Sequence, residues 1–181
     1  MGGRLDLFNV IAGACVTLYA LALILQPEAI FQAGGLMSIL SPGGRALWQL
    51  GMTGGLAWDQ GWWWTIFTAM YLHGSLLHIV FNVMWIRNLG PGVAEVYGPG
   101  RAFLLFNIAG AGSFLASNVM SGVPTIGASG SIFGLLAALI VYGRRRGSSV
   151  MTRQLWQWAI ILGVFGFIMP GINNWAHGGG F

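Results

Sequence analysis

Apolar residues run almost unbroken from Leu7 to Leu25, where Gln26-Pro27-Glu28 stops them. A bilayer core of about 30 Å takes roughly 20 residues of helix, so this run predicts a first membrane span. It has no small-residue cleavage site after a short apolar core, so it reads as a span rather than a removed signal peptide. Further apolar runs predict spans at about 70–89, 101–120, 127–143 and 155–170, and a last helical segment opens at about 174. Residues 27–64 are too apolar for a solvated loop and end in Trp58 and Trp62-Trp63-Trp64, which belong at the headgroup level. The pattern therefore predicts an all-α fold, a polytopic membrane helix bundle with five full transmembrane helices plus the start of a sixth. There are no heptads, repeats or flexible linkers, and one domain fills residues 1–181.

Composition strengthens this reading. Of 181 residues, 56% are hydrophobic and 7% charged, whereas a soluble domain carries about a quarter charged residues. The lipid bilayer is the first partner implied. The net charge of +4 comes from eight arginines against four acids; no basic face is large enough to track a phosphate backbone, and no nucleic-acid partner is expected. Cys15, alone in an apolar run, excludes an internal disulfide and a cysteine-based metal site. With the N terminus cytoplasmic, Arg4, Arg87, Arg101, Arg144, Arg145, Arg146 and Arg153 fall on the cytoplasmic side and only Arg45 on the other, as the positive-inside rule requires. Arg144-Arg145-Arg146 reads as a topology anchor rather than a lipid-recognition motif. A cytoplasmic N terminus without a targeting presequence suits a bacterial inner membrane.

Polar residues inside a span are costly, so each is a candidate site. His78 and Asn82 lie four apart, on one helix face and about 6 Å apart along the axis. They read either as hydrogen-bond donors facing inward or as a polar pair satisfied by a neighbouring span. His73, five residues before His78, falls roughly 140° around the helix and reads as an interfacial histidine, not a partner on the same face. Ser129, in Gly127-Ala128-Ser129-Gly130, precedes Arg144 by fifteen residues, or about 22 Å of helix. That puts it roughly 8 Å below the outer surface of a core of about 30 Å. There it is an N-cap with packing glycines, or a nucleophile among free backbone N–H groups and a positive helix end. His177, in Ala176-His177-Gly178-Gly179-Gly180, is a histidine at a helix entrance or a base for a hydroxyl. Gly130 and Gly134, with Gly178 to Gly180, would let the two helices approach closely.

Taken in order, these pieces resemble the rhomboid family of intramembrane serine proteases. The resemblance rests on His73-Gly-Ser-Leu-Leu-His78-Ile-Val-Phe-Asn82, Glu95 within Gly-Pro-Gly-Val-Ala-Glu-Val-Tyr-Gly, Gly127-Ala-Ser129-Gly and Ala176-His177, and it covers nearly the whole chain. It implies Ser129 as nucleophile and His177 as base. It also implies an oxyanion hole of His78, Asn82 and the Ser129 backbone N–H, a half-submerged first loop at 27–64 and a mobile cap at 170–174. The implied substrates are transmembrane proteins, cut without a cofactor. Asp6, Glu28, Asp59 and Glu95 all lie outside the expected spans, so a dyad is expected rather than a triad.

Two departures from the family stand out. Trp64-Thr65 occupies the place where the family often has Trp-Arg, so the first loop loses an arginine anchor. The family's last span continues beyond the Ala-His motif, whereas this sequence stops at Phe181, which reads as a truncated last helix. An alternative reading is a rhomboid-like protein that binds transmembrane clients without cutting them, although such relatives usually lack the serine or the histidine. A channel or metal transporter built on His73, His78 and His177 has too few ligands.

Overall fold

Asp6 starts the first helix: its carboxylate accepts from the Phe8 N–H at 3.1 Å, satisfying a donor that the first turn leaves free. The helix, α1 (Leu7–Leu25), ends where Pro27 opens a 3₁₀ turn (Pro27–Phe31). The computed structural model describes residues 6–31, 35, 38–169 and 171–181. Arg4, which enters the orientation argument, and Pro170, in the expected cap, lie outside the described residues. After two short helices, α2 (Gly44–Gln49) and α3 (Gly55–Asp59), come α4 (Thr65–Thr68), α5 (Leu76–Tyr97), α6 (Pro99–Met120), α7 (Ser129–Arg145), α8 (Ser149–Ile168) and α9 (Asn174–Gly180). Among the described residues there is no strand, only an isolated antiparallel bridge between Thr53 and Thr125.

The five expected spans correspond to α1, α5, α6, α7 and α8, with some boundaries moved. By length and composition α1 and α6 each qualify to cross a membrane alone. The run expected at 70–89 is two pieces: Thr65–Tyr71 and Leu76–Tyr97 qualify together but meet at 95°. The break falls at His73-Gly74-Ser75, where Ser75 Oγ accepts from the His78 N–H at 3.3 Å and begins α5 anew. At its other end α5 continues through Pro91 to Tyr97, although an interior proline costs about 3 kcal/mol. Packing offsets this: Gly90 lies against the Phe8 ring of α1 with no room for a Cβ, Val93 is fully buried, and Tyr97 OH donates to the Ala138 carbonyl of α7 at 2.8 Å. Arg87, expected at the helix end, is therefore inside it, with its side chain exposed. The 17 residues of α7 are roughly 26 Å long, shorter than a bilayer core of about 30 Å. Thr152, Arg153, Gln154 and Gln157 make the first half of α8 polar, which hid its start from hydropathy.

Helices in lipid gain little from the hydrophobic effect and associate through close packing, so small residues set the approach. A Cβ on Gly130 would strike Ser113 of α6 and come within 3.3 Å of the Ala176 carbonyl. One on Gly134 would strike Ala109 and come within 3.0 Å of the Gly180 carbonyl; Gly179 presses on Ala116 and Gly180 on the Gly130 backbone. Gly178 differs from expectation: it faces open space, because it points away from α6 and α7. Overpacking costs about 1–3 kcal/mol, so Gly134→Ala should lower the thermal midpoint in detergent while Gly178→Ala leaves it in place. Equal midpoints for the two variants would contradict this packing.

The first loop is tied to the helices by polar groups. Thr125 N donates to the Thr53 carbonyl at 2.9 Å, and Gly55 N to the Gly122 carbonyl at 2.7 Å. Thr65, standing where the family's arginine is often found, is fully buried; its hydroxyl bonds Thr53 Oγ1 at 3.0 Å and the Trp62 carbonyl at 2.7 Å, and Asn118 Nδ2 also reaches Thr53 Oγ1 at 3.0 Å. The loop thus has a hydroxyl anchor in place of a charged one. Trp62 packs between a tilted Trp48 and a stacked Trp64, with ring centroids 5.2 and 6.0 Å away, while Trp63 and Trp64 are exposed.

Candidate active site

Gly127 is the turning point of the site. Its φ of +118° is a conformation that residues with a Cβ seldom adopt, and its N–H donates to the Ala69 carbonyl at 2.9 Å. The chain then passes through buried Ala128 into Ser129, the first residue of α7. Ser129 Oγ lies 3.0 Å from His177 Nε2. The imidazole comes from α9, whose N-cap is Asn173, and packs on the Phe133 ring one turn along α7, with centroids 4.8 Å apart and planes at 32°. The small residues of α6, α7 and α9 permit this approach.

The other ring nitrogen, His177 Nδ1, is buried and has no hydrogen-bond partner among the described residues. No carboxylate orients it. Its mobility is limited instead by Phe133 and by Gly166 of α8, where a Cβ would lie 3.0 Å from Nδ1; Asn174 Nδ2 donates to the Gly166 carbonyl at 3.1 Å and holds the two helices together. Such an arrangement can accept the serine proton at Nε2 while the imidazole keeps its orientation through packing.

His78 lies against Gly127. Its Nδ1 accepts from the Gly74 N–H at 3.3 Å, which places the neutral ring's proton on Nε2. That atom faces Gly127 so closely that a Cβ there would sit 2.5 Å away. A second histidine backs it: His73 is fully buried, its ring centroid 5.0 Å from that of His78 in an edge-on arrangement, with Nδ1 donating to the Tyr71 carbonyl at 3.2 Å. This corrects the reading that His73 is no partner of His78. The five-residue helical offset does not apply, because the chain turns sharply at Gly74; a glycine followed by a capping serine is a helix-start signal that could have shown it. Asn82 is buried, and its Nδ2 donates to the His78 carbonyl at 2.8 Å within α5. One N–H of that amide is thereby committed to its own helix. Among the described residues no three His, Cys, Asp or Glu side chains come together as a metal-ligand set.

Comparison with protein families matches residues 60–181 to the Rhomboid domain. The chain belongs to the rhomboid family. Rhomboid protease GluP of Bacillus subtilis is 36% identical over 125 residues, which are 67% of this chain and 24% of that protein. Rhomboid protease GlpG of Pectobacterium atrosepticum is 34% identical over 119 residues, 63% of this chain and 43% of that one. RHOMBOID-like protein 1 of Arabidopsis thaliana is 31% identical over 127 residues, 65% and 32% of the two chains. The chain thus spans less than half the length of these curated relatives. As a rhomboid with long apolar helices, it is a membrane protein built as an all-α helical bundle.

Proposed function

We propose that this rhomboid is an intramembrane serine endopeptidase working with a Ser129–His177 dyad, within one rhomboid-type domain over residues 1–181. The observation that carries this reading is the 3.0 Å approach of Ser129 Oγ to His177 Nε2 at the start of α7, beside a histidine whose Nε2–H is free to donate. The relatives named as rhomboid proteases add support. Ser129 Oγ attacks the carbonyl carbon of a scissile bond, and its proton passes to His177 Nε2. The Ser129 N–H, His78 Nε2–H and the uncommitted Asn82 N–H stabilise the oxyanion. Collapse expels the amine, which takes the proton from His177 and leaves an ester on Ser129. Water, deprotonated by the same nitrogen, then releases the acid.

Substrates are transmembrane segments that reach the site sideways between α5 and α8. Those helices meet through aromatic rings, Phe81 with Phe165 at 6.3 Å and Trp85 with Trp158 at 5.3 Å. Phe81 is close to His78 in sequence, and Phe165 adjoins Gly166, so the first pair borders the site. Rings packed without hydrogen bonds can part at little cost. The arginine distribution supports a cell-membrane location with the N terminus cytoplasmic and the site nearer the outer face.

The test is reconstitution in liposomes with a single-span reporter carrying small residues near its outer end. Two fragments from the natural protein and none from Ser129→Ala are expected. A reporter retained uncut by both forms would replace the protease reading with client binding.

A further inference from the structure

We propose that Asn173 is a positioning residue that ties together the two segments carrying Ser129 and His177. Asn173 lies four residues before His177, and Thr125 lies four residues before Ser129. The Asn173 amide joins these two positions directly. Its Nδ2 donates to Thr125 Oγ1 at 3.0 Å, to Ser117 Oγ at 2.7 Å and to Ser121 Oγ at 3.2 Å, while its Oδ1 accepts from the Trp175 N–H at 3.1 Å. One side chain thus caps α9, holds α6 and holds the connection that leads into α7.

The hydrogens of the cluster can be assigned. Ser121 donates to the Ser117 carbonyl at 2.9 Å and Thr125 to the Val123 carbonyl at 2.8 Å. In the 3.1 Å contact between Ser117 Oγ and Thr125 Oγ1 the donor is therefore Ser117. All three hydroxyl protons are spent, so each oxygen is left as an acceptor, and among the described residues the Asn173 amide is the one group that donates to all three. A half-buried amide shared among three acceptors constrains α9, because moving the helix gives up several hydrogen bonds at once. The Asn173 carbonyl adds bonds from Ala176 N at 3.1 Å and His177 N at 3.4 Å, so the tie passes through one turn of helix to the imidazole. On the other side Thr125 N is fixed to the Thr53 carbonyl, which anchors the connection against the first loop. The Ser129–His177 separation is set by this polar tie on one side and by the glycine contacts on the other.

The inference rests on the dyad reading, and its test separates the two. Thr125→Val keeps the shape and removes the acceptor, and Thr125→Ser restores it; Asn173→Ser keeps a cap but is too short to bridge. Misplacement by about 1 Å can cost up to roughly 10²-fold, so Thr125→Val and Asn173→Ser should each slow fluorophosphonate labelling of Ser129 by about tenfold or more. The double variant should be no slower than either, and Thr125→Ser should label as the natural protein does. Amide hydrogen exchange in a Ser129→Ala background needs no activity and decides the tie even where no form reacts with the probe. Thr125→Val should speed exchange at Trp175, Ala176 and His177 as well as in residues 121–128. Exchange that rises only in 121–128, or labelling that Thr125→Val leaves unchanged, would overturn the proposal.

Discussion

Ser129→Ala and His177→Ala are each expected to lower turnover of a transmembrane reporter by about 10⁴-fold or more, and the double variant to go no lower. The reason is the shared proton. Without His177 the Ser129 hydroxyl loses the one base it bonds among the described residues; without Ser129 the imidazole has no nucleophile to activate. Residues that act as one unit lose their contribution together, so the losses do not add. Stability should respond differently in the two variants. Ser129→Ala removes one half-buried oxygen and should leave the thermal midpoint nearly unchanged. His177→Ala opens a gap beside Phe133 and should lower it. Reporter cleavage in liposomes, read with thermal unfolding of the same samples, checks both statements; additive losses in the double variant would argue against a dyad.

The second large effect is expected at the oxyanion side. His78→Ala should reduce kcat by about 10²–10³-fold, the usual cost of one preorganised donor, with KM little changed because the donor acts on charge that develops only in the transition state. Asn82→Ala should also damage turnover more than folding. Among the described residues its amide bonds only the carbonyl of its own helix, at 2.8 Å, and its Oδ1 is buried with no partner. The alternative sequence reading, a polar pair gluing two spans, requires an interhelical bond that Asn82 does not make here. Stability and activity falling together in Asn82→Ala would revive it. Because one N–H is committed within α5, the loss for Asn82→Ala should be smaller than for His78→Ala.

Much of this was legible in the sequence because membrane helices announce themselves by length and apolarity. The bounds of α1 and α6 follow closely from the apolar runs. The approach of α7 and α9 followed from glycine spacing, except at Gly178, whose side of the helix could not be known before α9 was oriented. Elsewhere local signals were outvoted by tertiary packing. The span expected to end at 89 continues through Gly90-Pro91-Gly92, carried by Phe8 packing on Gly90 and by the Tyr97 hydroxyl. His73 was misplaced because helical geometry was extended across Gly74-Ser75. The hydroxyl anchor at Thr65 and the Asn173 cluster were not readable, since their partners lie 12 to 56 residues away and serines and threonines carry no periodic signal.

Whether Ser129 is a nucleophile activated by His177 can be read by treating the purified protein with a fluorophosphonate and locating the adduct by peptide mass. A single phosphonylated residue is expected, Ser129, with labelling lost in His177→Ala. An unmodified protein, or an adduct on another serine that persists in His177→Ala, would contradict it.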